Sequence, residues 1–511
     1  MQDFNWNKLQ NGSDIRGVAV AGVANEPVNL TPAVVQRLGQ AFTAWLAAKL
    51  GKPVASLRLA VGRDSRLSGP ELMQAVMAAM AGQGCQVLDC GIASTPAMFM
   101  ATVTAGFDCD GAIMMTASHL PFNRNGLKFF TAQGGLGKPD ISEILQRAEQ
   151  GEFAPSTPPG TIESRDLIAT YAAQLVAKVR QGVNHPSQFE RPLGGLKIIV
   201  DAGNGAGGFY ASQVLEPLGA DTTGSQFLEP DGTFPNHVPN PEDGEAMASI
   251  CQAVLAQQAD FGIIFDTDVD RAAAVDHRGQ ELNRNRLIAL IGAIALQSHP
   301  GSTIVTDSIT SDGLTWFIES ELGGRHHRFK RGYKNVINEA LRLNRGGEEA
   351  WLAIETSGHG AMKENYFLDD GAYLISKLLI ELARAKLAGR VLTDLIAKLP
   401  LPEESQEIRI AIAAEAFQTY GEEVIEQLRA FVEAQPDWAI ASPNYEGIRV
   451  ACTAPGEAGW FLLRLSLHDP LLALNVESDV EGGVGRIVGR LGAFLGAFPS
   501  LDLSGFIQGV S

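Results

Sequence analysis

The chain has 511 residues, 45% hydrophobic and 19% charged, with a formal net charge of −18 and a pI near 5.0. That length predicts about three or four domains, and the composition is that of a chain with a real apolar core. The acidic balance, with no basic run longer than "RHHRFKR" at 325–331, excludes the footprint of a nucleic-acid binder. The longest apolar run, "LIALIGAIAL" at 287–296, falls short of the roughly 20 residues that span a bilayer.

The first residues, "MQDFNWNKLQ", lack the basic and apolar regions of a secretory signal. Cys85, Cys90, Cys109, Cys251 and Cys452 form no CxxC pair and read as reduced, buried thiols, so a cytoplasmic location is expected. Oligomeric state is not legible.

Along the chain, "NGSDIRG" (11–17) holds Arg16 in a Gly-flanked turn. "SLRLAVGRD" (56–64) predicts a strand and then a helix at about 70–82. In "VGRDSRLSG", Arg63 and Arg66 are expected to make structural ion pairs, Asp64 being the obvious partner. A strand "CQVLDCG", a helix "TPAMFMATVTA" opened by Pro96, and a strand "GAIMMTA" follow. In "MMTASHLPFNRNGLKFF" (114–130) the apolar strand stops at a polar knot, with Ser118 beside a His and Lys128 further on. A nucleophile, a phosphate carrier and a plain turn all fit that pattern.

The Pro-rich "EFAPSTPPGT" (152–161) marks a boundary. The strand-turn-helix rhythm restarts at "LKIIVDAGNGAGG" and "ADFGIIFDTDVDR", and a third time at "STIVTDSITSDG" and "AWLAIETSGHG". After "LPLPEESQE" (399–407) the texture becomes that of a smaller α+β unit. The expected domains are 1–160, 161–283, 284–400 and 401–511.

Four stretches could carry chemistry. Gly203, Gly205 and Gly208 have GxGxxG spacing, but Asp201 just before them would repel a pyrophosphate, so a tight structural turn is the better reading. Asp266, Asp268 and Asp270 in "DTDVDR" repel one another unless a cation holds them, and three hard oxygen donors suit Mg²⁺; a solvated acidic turn is the bland alternative. Glu355, Ser357 and His359 alternate in "ETSGH" and would face one way if extended, as sugar hydroxyls require. Arg464, Ser466 and His468 in "RLSLHDP" could clamp a phosphate. For these last two, a polar loop and an ordinary strand junction are equally good readings.

In this order the blocks are more specific than any one alone. "IRG", "GRDSRLSG", "GAIMMTASHLPFNRNGLKFF", "VDAGNGAGG", "PDGTFPNHVPNPE", "GIIFDTDVDR", "ETSGH" and "RLSLHDPLLALNVES" resemble the motifs of the α-D-phosphohexomutases, the phosphoglucomutases and phosphomannomutases, over nearly the whole chain. The resemblance implies an α/β fold of four domains around a central cleft: three similar mixed-sheet α/β domains plus a smaller C-terminal α+β domain that closes over substrate. It also implies a phosphohexomutase that interconverts hexose 1-phosphate and hexose 6-phosphate, glucose and mannose phosphates before glucosamine phosphate.

Ser118 would carry the phosphoryl group, and Mg²⁺ would sit on Asp266, Asp268, Asp270 and an oxygen on Ser118. A hexose 1,6-bisphosphate would be both intermediate and activator. Lys128 and His359 would move protons with help from Arg16, and Arg271 would stabilise the transferring group. Glu355, Ser357 and His359 would bind the sugar, while Lys330, Arg464, Ser466 and His468 would bind its phosphate. The implied partners are small sugar phosphates, with neither nucleic acid nor membrane.

The chain makes three departures from the family pattern: Leu120 stands for the usual Asn, Thr267 for Gly, and Leu467, His468 and Asp469 replace the usual phosphate loop. One rival is a Mg²⁺-dependent phosphatase with Asp266 as nucleophile. Another is a sugar-phosphate-binding homologue without turnover.

Overall fold

The apolar stretches of the N-terminal third become the middle of an eight-stranded mixed sheet. Arg58–Arg63 lies parallel to both Gln86–Ile92 and Gly111–Met115, while Arg124–Thr131 returns antiparallel to Gly111–Met115 and pairs in turn with Asp14–Val18. The helices Pro32–Leu50, Gly69–Gly82 and Lys138–Gln150 bury their apolar stripes in one core with this sheet, around Phe42, Leu46, Val76, Met80, Ile113, Phe129 and Ile144. Thr31 caps the first of these helices by accepting from the Val34 N–H, with Pro32 at its first position. The helix expected from "TPAMFMATVTA" is shorter, Thr95–Met100. Thr102 turns its hydroxyl back onto the Phe99 carbonyl at 2.7 Å, a local bond that competes with helix propagation.

A second sheet orders Glu281–Leu282, Ala272–Asp276, Phe261–Phe265 and Ile198–Asp201. Its central strand is parallel to Ile198–Asp201 and antiparallel to Ala272–Asp276, with Phe265 opposite Ala272. The six residues from Asp266 to Arg271 are therefore a tight connection between two buried strands.

The structure is a computed structural model describing residues 4–466 and 469–508. It divides into two units, Met1–Asn283 with Ser357–Leu395, and Arg284–Thr356 with Ile396–Ser511. The first unit holds both sheets above. It also contains the short hairpin of Gly360–Met362 with Leu368–Asp369, and the helix Gly371–Leu387, which packs on Leu167–Val183.

In the second unit Thr303–Thr306 lies parallel to Arg325–Arg328 and Ala350–Ile354. A five-stranded sheet follows, antiparallel in each described pairing, in the order Glu404–Ala411, Leu471–Ser478, Gly459–Leu465, Ile448–Cys452, Trp438–Ile440. Phe417–Glu433 and Gly483–Leu495 cover it over a core of Ile410, Leu428, Phe461, Leu474 and Ile487. Three mixed-sheet α/β domains and a smaller sheet domain are the architecture. No helix among the described residues is long and apolar enough to cross a membrane.

Candidate active site

The strand Gly111–Met115 is buried along its length and ends at Thr116, whose hydroxyl accepts the Ser118 N–H at 2.8 Å. Ser118 itself has φ +51°, a left-handed conformation uncommon outside Gly, Asn and Asp. The chain then turns back into Arg124–Thr131, whose register sets Lys128 opposite Met114. The sequence gap between Ser118 and Lys128 is thus closed by strand pairing.

The Asp266–Arg271 connection is held by its own side chains. Asp266 accepts from the Arg271 N–H at 3.2 Å and from Arg271 Nε at 3.3 Å, and buried Val269 sits at φ +67°. A β-branched residue in that region stores of order 1–3 kcal/mol, tolerated where the surroundings over-determine it. Those surroundings include the Gly-rich turn. A Cβ on Gly205 would lie 2.6 Å from the Thr267 carbonyl oxygen, and the Ala206 N–H donates to that same oxygen at 2.8 Å. Asp201 accepts from Gly203 N–H and Gln226 and pairs with His237 at 3.0 Å. The "GNGAGG" turn is therefore a brace for the acidic loop.

Ser118 Oγ lies 3.1 Å from Asp266 Oδ2 and 3.3 Å from an Arg271 amino group. Lys128 Nζ donates to Asp268 Oδ2 at 2.9 Å and to Asp270 Oδ2 at 2.5 Å. His359 Nδ1 is 2.5 Å from Asp369 Oδ2 and 3.9 Å from Asp270 Oδ1. Ser118, Lys128, Asp266, Asp268, Asp270 and Arg271, all buried, thus form one cluster with half-buried His359 within the first unit. Arg16 pairs with Asp14 at 3.0 Å on the neighbouring strand, and its charge reaches His119.

The electrostatics of the acidic loop suits a cation. Each of the three aspartates offers an oxygen within 4.8 Å of the others, and Asp268 Oδ1 and Asp270 Oδ1 are buried with no hydrogen-bond donor among the described residues. Burial, then the charges of Asp270 and Asp268, push the Asp266 carboxyl well above its usual range. Burial would also raise Asp270, but Lys128, His359 and Arg271 outweigh it and hold that carboxyl low. Orphaned hard oxygens around one point are the donor set of Mg²⁺.

The remaining predicted residues divide between the units. Ser357 is buried in the first. Glu355 is in the second, where it accepts the Gly332 N–H at 2.5 Å. The same unit holds exposed Lys330, Arg464 at the end of Gly459–Leu465, and Ser466, which accepts the Asp469 N–H at 3.2 Å. Arg464 Nε is buried without an acceptor among the described residues. His468 lies outside them.

Two expectations need correction. Glu355, Ser357 and His359 do not alternate along an extended strand. Residues 356–357 form a turn, and Gly358 at φ +91° carries the chain past Ala272, whose carbonyl oxygen would be 2.7 Å from any Cβ there. Arg66 does pair with Asp64, at 3.2 Å, but Arg63 donates to the Asp64 backbone carbonyl at 3.0 Å.

The chain matches three family models: phosphoglucomutase/phosphomannomutase alpha/beta/alpha domain I over residues 7–155, domain II over 169–279 and domain III over 283–400. A phosphoglucomutase of Neisseria gonorrhoeae is 31% identical over 490 residues, 96% of each chain. The chain belongs to this family of phosphotransferase mutases. A phosphomannomutase/phosphoglucomutase of Pseudomonas aeruginosa is 31% identical over 459 residues, 88% of this chain and 91% of that one. A crystal structure of a phosphoglucomutase/phosphomannomutase family protein from Burkholderia thailandensis superposes with a TM-score of 0.77 at 28% identity, covering 96% of this chain and 98% of that one.

Several groups in this cluster have no sequence signal of their own. His119 Nδ1 accepts from Arg271 at 2.7 Å, and burial with the Arg271 and Arg16 charges lowers its pKa to about 3, so it is a neutral acceptor. Thr95 reaches Asp268 with both its hydroxyl, at 2.5 Å, and its N–H, at 2.8 Å. Asn240 and Glu242 hold Arg271 from the other side, at 3.0 and 3.6 Å. Asp369 is the partner of His359; burial alone would lower the histidine's pKa, but Asp369 and Asp270 raise it to about 9. Only Asp369, in "LDDG" before a helix, and Asn240 with Glu242, in "VPNPE", stood in stretches already rich in polar punctuation.

Proposed function

We propose that this mutase interconverts hexose 1-phosphate and hexose 6-phosphate, glucose and mannose phosphates foremost, through a phosphoserine at Ser118 and a hexose 1,6-bisphosphate that also serves as activator. The observation that carries the reading is Ser118 Oγ held between Asp266, at 3.1 Å, and Arg271, at 3.3 Å, beside two orphaned carboxylate oxygens. A phosphoserine carries about −1.5 to −2 charges, and unit charges 4 Å apart repel by roughly 4 kcal/mol at a surface-like dielectric. Asp266, Asp268 and Asp270 would hold Mg²⁺, with an oxygen on Ser118 in its shell, and the ion would neutralise charge on the transferring group.

In one half-reaction the Ser118 Oγ–P bond breaks as a sugar oxygen bonds to phosphorus. The sugar hydroxyl loses a proton and Ser118 Oγ gains one. After the bisphosphate turns around, the same step runs in reverse at the other end of the sugar. Lys128 and His359 are the proton carriers, Arg16 assisting. Lys128 is ion-paired and His359 held charged, so both stand ready as acids, and whichever acts as base first gives up its proton. Arg271 faces the serine oxygen on which charge develops.

Glu355, Ser357 and His359 would bind the sugar hydroxyls, and Lys330, Arg464 and Ser466 the distal phosphate, with His468 the further candidate. The phosphatase alternative gives no role to Ser118 Oγ, which lies 3.1 Å from Asp266 and 3.3 Å from Arg271. The five cysteines are free thiols, with burial raising Cys85, Cys90 and Cys109 to about 12, which supports a cytoplasmic placement.

The test is labelled phosphate donated by glucose 1,6-bisphosphate with Mg²⁺. The label is expected on Ser118, and Ser118→Ala is expected to lose both label and mutase turnover. Label on an aspartate, or full turnover without the serine, overturns the reading.

A further inference from the structure

Arg66 is fully buried, yet it touches none of the groups assigned to phosphoryl transfer by side chain. Its four terminal N–H groups go to four backbone carbonyls of the serine loop. One amino group donates to Pro121 and Arg124, at 2.8 and 2.9 Å. The other donates to Leu120, at 2.6 Å, and to the carbonyl of Ser118 itself. Nε lies 3.2 Å from Asp64 Oδ2, an ion pair without hydrogen-bond geometry, so four of the five donors of the fork are spent on the loop.

The partners of the fork are anchored too. The Asp64 N–H donates to Met115 O at 3.1 Å, at the end of the strand that delivers Ser118. The Asp64 carboxylate also accepts the Arg66 N–H at 3.0 Å, which fixes the turn that carries the fork. Beneath the guanidinium, 5.3 Å away, lies the ring of Phe234. That ring belongs to "PDGTFP", a block the transfer chemistry does not use. Gly232 of the same block packs where a Cβ would meet Leu67 N at 2.5 Å and Ser65 O at 2.6 Å.

We propose that Arg66 is a positioning residue of the transfer step: its planar fork, seated on Asp64 and Phe234, holds the Ser118 loop in its left-handed turn and so aims Oγ at the aspartate cluster. The proposal rests on the mutase reading. Lysine cannot substitute, because an ammonium has three donors at one point where the loop presents four carbonyls. A serine displaced by about 1 Å loses roughly 10²-fold in rate, while groups that bind sugar and cation from other loops are unaffected.

The experiment compares wild type, R66K and F234L as full chains. Four quantities are read: single-turnover transfer from labelled Ser118 to glucose 1-phosphate, Mg²⁺ affinity, glucose 1-phosphate affinity, and the thermal midpoint. R66K is expected to transfer about 10²-fold more slowly with both affinities within about threefold of wild type. F234L, which keeps all the donors and loosens their seat, is expected to lose about tenfold in transfer with the same affinities. If R66K does not fold, F234L decides. Transfer at the wild-type rate in whichever folded variant is read, or a fall in both affinities as large as the fall in transfer, overturns the proposal. A wild-type chain that takes no label on Ser118 overturns the mutase reading itself, and the positioning role with it.

Discussion

Lys128 is a sharper case at the residue scale than its place in "NGLKFF" suggests. Its ammonium bridges Asp268 and Asp270 and is nearly buried, so it neutralises the acidic loop as well as standing near the serine. Lys128→Met is therefore expected to lower turnover by about 10²–10⁴-fold, the span usual for a proton-transfer group. It is also expected to destabilise the fold, because two buried carboxylates lose their partner. A steady-state assay beside a urea melt checks both; turnover within about tenfold of wild type removes Lys128 from the mechanism.

Glu477 provides a residue-scale pH prediction away from the cluster. Burial raises its carboxyl from an ordinary 4.5 to about 7, against the opposing effects of the Trp460 hydrogen bond, 2.9 Å, and of Arg449. Between those two values the folded state binds more protons than the unfolded one, so stability falls as pH rises through the window and the loss is complete above about 7. The span corresponds to roughly 3 kcal/mol. Glu477→Gln keeps the acceptor for Trp460 and removes the titration. Denaturation midpoints at acid and alkaline pH are expected to converge in the variant and to differ in wild type; equal pH slopes count against it.

At the scale of elements, the acidic loop depends on a neighbour that carries no chemistry. The Gly203–Gly208 turn is built so that Gly205 meets Thr267 without a side chain between. Gly205→Ala pushes a methyl against backbone and is expected to cost about 1–3 kcal/mol, as overpacking does. It is also expected to weaken Mg²⁺ binding, because the aspartates ride on the displaced segment. A melt and a Mg²⁺ titration test this, and unchanged Mg²⁺ affinity in a destabilised variant refutes the coupling. The GxGxxG spacing was legible in the sequence, as was its unsuitability for a pyrophosphate. Its partner, about sixty positions away in "DTDVD", was not, since local spacing carries no information about which loop another loop touches.

At the scale of the whole molecule, the chain leaves the first unit after Asn283 and re-enters it at Ser357. Glu355 thus belongs to one unit and Ser357 with His359 to the other, so a motif of five letters straddles a unit boundary. The proposed cation site, Asp266, Asp268 and Asp270, lies wholly in the first unit, and its loop is braced by Gly205, Arg271 and Thr95. Chelation with EDTA is therefore expected to stop turnover without unfolding the chain, and Mg²⁺ to restore it. Mg²⁺ at about a hundred times its Kd is expected to add about 2.7 kcal/mol of stability by mass action. Turnover that survives exhaustive chelation refutes the metal assignment.

Sequence alone was enough for the α/β rhythm, the acidic trio, the serine on its loop and the family, because apolar periodicity and short motifs are local properties. It did not contain the left-handed Ser118, the fork of Arg66, the neutral His119 against Arg271, or the pairing of His359 with Asp369. The first is a backbone angle set by the folded turn, and the others join residues from 10 to 152 positions apart, where a hydrogen bond or a desolvated charge exists only once folding brings its two ends together.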